Sequence, residues 1–141
     1  MELHFVVYGE PVGQQRPTIS TIGGHIRNVE RPKSREYKYM VGQYALVAKQ
    51  EQGFELSEQM LRAEIEVYMS IPKSKSKKWK EKARLGEERP TKKPDIDNFV
   101  KAIFDGLNGI AYKDDSQVVE VEAKKFYSDE PRVEVKIIEV S

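Results

Sequence analysis

The 141-residue sequence contains no cysteine, which excludes thiol catalysis, disulfide bonds and thiolate metal sites. It also lacks a long apolar run. The first run, around Phe5, is short and has no basic segment before it, so we expect neither a signal peptide nor a membrane span. We therefore predict a cytoplasmic protein. The length suits one domain, residues 1–141, with its own hydrophobic core.

The sequence has little net charge, but its charges are unevenly distributed. The formal net charge is +1, from 24 basic and 23 acidic side chains. Residues 73–101 hold eleven basic and five acidic side chains, whereas residues 102–141 hold five basic and nine acidic ones. A polyanion such as DNA is therefore expected to contact the middle of the chain and to avoid its end.

Four segments with β-rich or alternating apolar patterns predict strands. They are residues 2–8, 61–71, 117–127 and 132–140. The turn residues at 128–131 predict that the last two strands form a hairpin. Helices between the other strands leave room for a parallel pair. The fold class expected is an α/β (α+β) two-layer sandwich, with a mixed sheet of about four strands and two main helices.

Helical spacing of apolar residues predicts the two main helices. The first covers residues 35–51 with Ser34 as its N-cap, and the second covers about 98–107 with Asp97 as its N-cap. A shorter helix is expected near residues 75–84. The glycines and prolines of residues 10–32 predict a long loop or a loose hairpin, and long loops in compact domains often serve function.

The most informative segment begins with two aspartates separated by one residue. If the chain stays extended through Ile96, Asp95 and Asp97 project to one side while Ile96 points into the core. Two neighbouring carboxylates repel each other unless a cation lies between them. Oxygen ligands of this kind suit a hard divalent ion, so the spacing indicates a metal site.

A lysine and a second pair of aspartates can reach the same place. Lys101 lies one helical turn beyond Asp97, where its charge could stabilise a phosphate during reaction. Asp114 and Asp115 precede a strand, so a loop can return them to the start of the helix. Several carboxylates with one lysine are the groups that metal-assisted hydrolysis of a phosphodiester requires.

Each of these residues also has a structural interpretation. Asp-X-Asp is a common sequence, and Asp97 can be a helix cap with no further role. Asp114 and Asp115 can simply form the turn before a strand. Lys101 can pair with Asp105 on the helix surface. Spacing alone leaves these alternatives open.

The string KPDIDNFVKAIFDGLNGIAYKDDSQV, residues 93–118, resembles the signature of the RusA-type Holliday-junction resolvases. These are small dimeric endonucleases common in phages and prophages. The match is close over these 26 residues. It is looser in the N-terminal loop, where Gly9-Glu10-Pro11 and Gln15-Arg16-Pro17 are similar to the phage branch of the family. The lysine-rich residues 73–84 belong to a region that varies.

The resemblance implies roles for individual residues and for partners. The family's metal ligands fall on Asp95, Asp97 and Asp115, and its helical lysine falls on Lys101, so these four are the candidate catalytic residues. Asp114 is a further candidate ligand. The implied cofactor is Mg²⁺, with Mn²⁺ as an alternative and no small-molecule cofactor. The implied assembly is a homodimer acting on four-way DNA junctions.

Basic residues near the motif are predicted to contact DNA phosphates. The candidates are Arg16, Lys73, Lys75, Lys77, Lys78, Lys80, Lys92 and Lys93. Other basic residues of the N-terminal loop, such as Arg31 and Lys33, belong either to a solvated loop or to the same contact. Trp79 is expected to pack on the domain.

The leading hypothesis is a homodimeric, Mg²⁺-dependent endodeoxyribonuclease that resolves four-way junctions by paired nicking, in DNA recombination and repair. An isologous dimer presents two identical sites to a nearly two-fold junction. One alternative is a nuclease for flaps or forks, and another is a non-catalytic DNA-binding protein. Acidic groups whose charge is not compensated would weaken the binding of DNA. Their presence therefore favours an enzyme over a non-catalytic DNA-binding protein.

Overall fold

The computed structural model describes residues 1–141 except for the side chain of Ile22, and over that range it contains two β-sheets and three α-helices. This is the α+β sandwich that the sequence predicts. The strands are β1 (Glu2–Tyr8), β2 (Thr18–Ser20), β3 (Arg27–Val29), β4 (Leu61–Ser70), β5 (Val118–Ser128) and β6 (Arg132–Glu139). The helices are α1 (Pro32–Gln52), α2 (Lys77–Arg84) and α3 (Ile96–Leu107), with short 3-10 helices at Ile22–Gly24 and Asp115–Gln117.

The main sheet has the strand order β1-β6-β4-β5. β4 lies parallel to β5, which confirms the expected parallel pair, and antiparallel to β6. The predicted hairpin of β5 and β6 is wrong, because β4 lies between them. The connection from Ser128 to Arg132 steps across the end of β4. Four residue steps can span about 13 Å, more than the roughly 10 Å between strands separated by one neighbour.

The two faces of the sheet differ, as the alternating patterns predict. On β4, residues such as Leu61, Ile65 and Val67 are buried beneath α1 and α3. The intervening residues of the same strand are half-buried on the opposite side, which we call the open face. Its charged side chains include Arg62, Glu66, Glu122, Arg132 and Glu134.

Helices α1 and α3 pack closely because of a glycine. A Cβ atom at Gly106 would lie 2.8 Å from the main-chain oxygen of Lys38 and 2.9 Å from the side chain of Val41. A larger residue there would push α3 away from α1. The close crossing also brings the side chain of Lys38 to α3.

The structure corrects the predicted start of α1. The helix begins at Pro32 with Arg31 as its N-cap, not with Ser34. Ser34 is buried, and its hydroxyl accepts a hydrogen bond from the main-chain N–H of Gln15 at 3.1 Å. Proline suits the first helical turn because the missing N–H has no partner there, which explains the earlier start. The serine instead fastens the N-terminal loop to the helix.

The predicted N-cap of α3 is also wrong. Asp95 caps the helix, and Asp97 lies inside its first turn. The chain therefore turns into the helix at Ile96, which is 38% exposed and does not point into the core as expected. Both aspartates still lie at the helix N-terminus, where the helix dipole favours negative charge.

Outside the main sheet, β2 and β3 form a short antiparallel pair, which agrees with the loose-hairpin interpretation of residues 10–32. Trp79 on α2 packs against Tyr127 of β5 with ring centroids 5.4 Å apart, as expected for a packing residue. Among the described residues, no helix is long and apolar enough to cross a membrane.

Candidate active site

A groove with a volume of about 720 Å³ separates the N-terminal loop from the segment that begins α3. The two walls touch at Gly13, where a Cβ atom would lie only 2.6 Å from the side chain of Pro94. Next to this contact, the main-chain N–H of Gln14 donates a hydrogen bond to the carbonyl of Asn98 at 2.9 Å. The absence of a side chain at residue 13 therefore allows the loop to reach the start of α3.

The groove is mainly basic. Three of the predicted DNA-binding residues, Arg16, Lys92 and Lys93, line it together with Asp95. Arg31 and Lys33 line it as well. Arg31 donates a hydrogen bond from Nε to the carbonyl of Arg16 at 3.0 Å, which joins the two ends of the N-terminal loop. The structure thus brings basic side chains from two distant parts of the sequence beside one candidate metal ligand.

The lysine-rich segment lies elsewhere. Five of the predicted DNA-binding residues are absent from the walls of the groove: Lys73, Lys75, Lys77, Lys78 and Lys80. Their helix, α2, packs on β5 through Trp79, and the ammonium of Lys75 lies 5.0 Å from the Trp79 ring centroid. Another groove, between β1 and α1, contains none of the predicted site residues.

Asp95 is positioned by a lysine on the neighbouring strand. The ammonium of Lys125 donates hydrogen bonds to the carbonyls of Lys92 and Pro94, each at 2.9 Å. Burial lowers the pKa of Lys125, and the negative charge of Asp95 opposes that shift. Lys125 therefore fixes the main chain directly before Asp95 and adds a positive charge close to its carboxylate.

Asp114 and Asp115 lie in a turn that contacts α3. The carboxylate of Asp114 accepts a hydrogen bond from the main-chain N–H of Ser116 at 3.0 Å, which caps the short 3-10 helix. Hydrogen bonding from the side chain and the main chain of Ser116 lowers the pKa of Asp114. Gln117 anchors the turn, because its side-chain amide donates to the carbonyls of Ser57 and Gln59 at 3.0 Å. Asp115 follows this fixed cap and is only half-buried.

The hydroxyl of Tyr112 lies near several of these aspartates. The side chain is buried and donates a hydrogen bond to the carbonyl of Phe104 at 2.8 Å. Burial raises the pKa of Tyr112, and the charges of Asp115, Asp105 and Asp114 raise it further. The fold therefore brings the Asp114-Asp115 turn close to α3, where the neighbouring Tyr112 contacts its C-terminal half. The return of this pair to the start of the helix stays a prediction.

The aspartates of the motif fall into two groups. Asp105 pairs with Lys38 and Lys101, and Asp114 serves as a cap. In the part of the chain that the structure describes, the carboxylates of Asp95, Asp97 and Asp115 have neither an ion pair nor a hydrogen bond. These three are the predicted metal ligands. Asp114 is less suited to be a ligand because its carboxylate already accepts a main-chain hydrogen bond.

The three carboxylates fit a hard divalent cation by their chemistry, since oxygen donors are the ligands that Mg²⁺ prefers. Their arrangement fits less closely. Among the described residues, no three histidine or acidic side chains are grouped tightly enough to hold a metal ion. A cation shared by all three would require their exposed or half-exposed side chains to move toward one another.

Lys101 lies on the exposed surface of α3. Its ammonium is 3.3 Å from Oδ2 of Asp105, so the surface pair considered from the sequence is present. The side chain is nevertheless 60% exposed, and the contact is long. An exposed pair of this kind is worth about 0.3–0.5 kcal/mol, which leaves the ammonium available to another anion.

Sequence reasoning missed two lysines that the structure places at the site. Lys125 holds the main chain before Asp95, and Lys38 forms an ion pair with Asp105. Neither has a local signal, because a lysine in an alternating strand or on an amphipathic helix normally faces solvent. Only the packing of distant elements identifies them.

Comparison with known proteins identifies the family of this chain. The family model for the endodeoxyribonuclease RusA matches residues 8–138. The chain is 49% identical over 141 residues to uncharacterized protein YqaN of Bacillus subtilis (strain 168), covering 99% of this chain and 97% of that protein. It is 29% identical over 140 residues to the crossover junction endodeoxyribonuclease rusA of Lactococcus phage r1t, covering 99% and 98%. Because the family model spans nearly the whole chain and includes every candidate ligand, the protein belongs to the RusA endodeoxyribonuclease family.

Proposed function

We propose that the protein is a metal-dependent endodeoxyribonuclease that cleaves four-way DNA junctions at the basic groove. The observation that carries this proposal is the contrast among the motif's aspartates. Asp95, Asp97 and Asp115 remain without ion pairs, although lysines and arginines line the groove beside Asp95. Unpaired carboxylates in a segment that begins at a basic groove suit a cation and a phosphate together.

In this proposal, three sets of residues have separate roles. Asp95, Asp97 and Asp115 would hold a divalent cation, Mg²⁺ or Mn²⁺, which when bound would supply an activated water and stabilise the leaving oxygen. Arg16, Lys92 and Lys93 hold the phosphodiester backbone in the groove. Lys101 places positive charge beside the phosphate as its negative charge develops.

The substrate assignment rests on the family and on the phage relative, whose name describes a crossover junction enzyme. A homodimer would present two such grooves related by two-fold symmetry, which suits paired nicking of a four-way junction. A role in recombination and repair of DNA in the cytoplasm follows from that activity. The charge of the groove provides affinity for DNA backbone, and the branch provides the selectivity.

The test is cleavage of a synthetic four-way junction compared with linear duplex of the same sequence, with Mg²⁺ and with excess chelator. We expect paired nicks in the junction with Mg²⁺ and no cleavage with chelator. Flap and fork substrates are tested in the same assay. Equal cleavage of duplex and junction, or faster cleavage of a flap or fork, would overturn the junction assignment. Cleavage in chelator would overturn the metal assignment.

A further inference from the structure

Lys38 of α1 joins two carboxylates from different parts of the chain. Its ammonium is 2.9 Å from Oδ2 of Asp105 on α3 and 2.5 Å from Oε1 of Glu30, which follows β3. The side chain is only 18% exposed. Burial alone would lower the pKa of Lys38, but hydrogen bonds and charges from both carboxylates raise it above its ordinary value. Lys38 is therefore charged at neutral pH.

The same carboxylate of Asp105 also contacts the ammonium of Lys101. The two Lys101 distances, 3.4 Å to Oδ1 and 3.3 Å to Oδ2, are longer than the Lys38 distance. Lys101 is also far more exposed than Lys38. The shorter and more buried contact is the stronger one, because water screens it less. Asp105 is thus held chiefly by Lys38.

This sharing changes what Asp105 can do to Lys101. With Lys38 present, much of the negative charge of Asp105 is already balanced, and a second positive charge lies nearby. Without Lys38, Lys101 would be the one cation paired with Asp105 among the described side chains. The carboxylate would then compete with a phosphate for the Lys101 ammonium.

We propose that Lys38 is a positioning residue for Lys101: by occupying Asp105, it leaves the Lys101 ammonium free to reach the scissile phosphate. The inference rests on the proposed function, since it requires that Lys101 acts on a phosphate. It assigns Lys38 a role through Asp105 and not a contact with DNA.

The experiment measures single-turnover junction cleavage at saturating enzyme. Lys38→Met is expected to slow the chemical step about tenfold, a size typical of coupling between contacting charged residues, with junction affinity unchanged. Adding Asp105→Asn to Lys38→Met should restore most of the rate, because the amide no longer attracts Lys101. Lys38→Arg should retain the rate, because a guanidinium can also pair with both carboxylates.

Two further variants keep the result interpretable. Glu30→Gln removes the other half of the Lys38 pair but leaves the contact with Asp105, so it should preserve the rate. Lys38→Gln removes the charge but keeps a polar side chain, and it should reproduce the loss and the recovery if Lys38→Met is unstable. Thermal unfolding of every variant shows whether slow cleavage comes from instability.

The outcomes separate the two proposals. A Lys38→Met or Lys38→Gln rate close to wild type would overturn the positioning role, and so would a slow variant that Asp105→Asn does not restore. The Lys101→Ala variant is measured beside them. If Lys101→Ala cleaves normally, the catalytic role of Lys101 in the proposed function fails and the role of Lys38 fails with it.

Discussion

The open face of the sheet and the edge of the basic groove contain the same kinds of charged residue but differ in ion pairing. On the open face, the guanidinium of Arg62 lies 2.6 Å from the carboxylate of Glu122, and that of Arg132 lies 2.8 Å from Glu134. The hydroxyl of Tyr68 donates to the carboxylate of Glu66 at 2.5 Å. At the groove and in the adjoining first turn of α3, the carboxylates of Asp95 and Asp97 have no such contact among the described residues.

The difference is physical and not compositional. Basic side chains lie close to Asp95, so partners are available there, yet its carboxylate forms no ion pair among the described residues. Carboxylates without ion pairs or hydrogen bonds add little to stability, so a role in function explains them better than a role in folding. The open face shows what this fold does with charges that have no such requirement.

The largest expected effect comes from the three candidate metal ligands. Asp95→Asn, Asp97→Asn and Asp115→Asn should each reduce junction cleavage by more than the roughly hundredfold that loss of an outer-shell metal partner costs. The amide keeps the shape and loses the charge that attracts a cation. Junction binding should stay the same or become tighter. Cleavage assays and fluorescence anisotropy measure the two properties.

The matched control is Glu134→Gln, the same chemical change on the open face, which should cleave normally. Near-normal cleavage by any two of the three aspartate variants would remove the metal site from this groove. Equal losses in the control and the aspartate variants would remove the distinction between the two regions.

The next effect concerns Lys101. Lys101→Ala should lower the single-turnover rate by about a hundredfold, as loss of one charged stabiliser of a transition state does, with little change in junction affinity. Its charge matters most as negative charge develops on the phosphate, so the loss appears in the rate. Lys101→Arg should recover little, because a planar guanidinium cannot occupy the same compact position.

The control for Lys101 is Lys136→Ala, which removes a lysine from the open face, where it faces Glu2. It should leave both rate and affinity unchanged. A Lys101→Ala rate within about threefold of wild type, less than the removal of one hydrogen bond usually costs, would leave Lys101 as the partner of Asp105 and nothing more.

A smaller effect distinguishes the basic groove from the basic helix α2. Replacing Lys92 and Lys93 with glutamine should flatten the salt dependence of junction binding, by about 0.9 in logarithmic slope for each phosphate that the variant no longer neutralises. Replacing Lys77 and Lys78 in the same way should change the slope less, because neither lines the groove. A larger change from the α2 pair would place the DNA on α2.

The sequence predicts individual elements of this fold better than their arrangement. Alternation identifies which residues of β5 and β6 face the core, but it carries no information about which strand is the neighbour. That choice depends on β4, more than forty residues earlier, so the hairpin prediction was wrong. The predicted N-caps of α1 and α3 were wrong because both helices begin earlier than predicted. Pro32 begins α1 before Ser34, and the turn at Asp95 begins α3 before Asp97.

The residues of the candidate site were likewise only partly predictable from the sequence. Asp95, Asp97, Asp115 and Lys101 come from one continuous motif, and spacing together with resemblance identifies them. Lys38 and Lys125 enter the site from α1 and β5, so they become visible only when the elements are packed. The groove itself requires the contact between Gly13 and Pro94, which no local pattern predicts.

The most direct measurement of the central claim is the thermal unfolding of wild type and Asp95→Asn, each with and without Mg²⁺. Without metal, Asp95→Asn should unfold within about 2–4 °C of wild type, the Tm change that corresponds to about 1 kcal/mol, because the Asp95 carboxylate makes no side-chain cap hydrogen bond that could be lost and asparagine is also a favoured N-cap residue. Saturating Mg²⁺ should then raise the Tm of wild type, because a ligand that binds the folded state stabilises it, and should leave Asp95→Asn almost unchanged. An equal Mg²⁺-induced rise in both proteins would contradict the account.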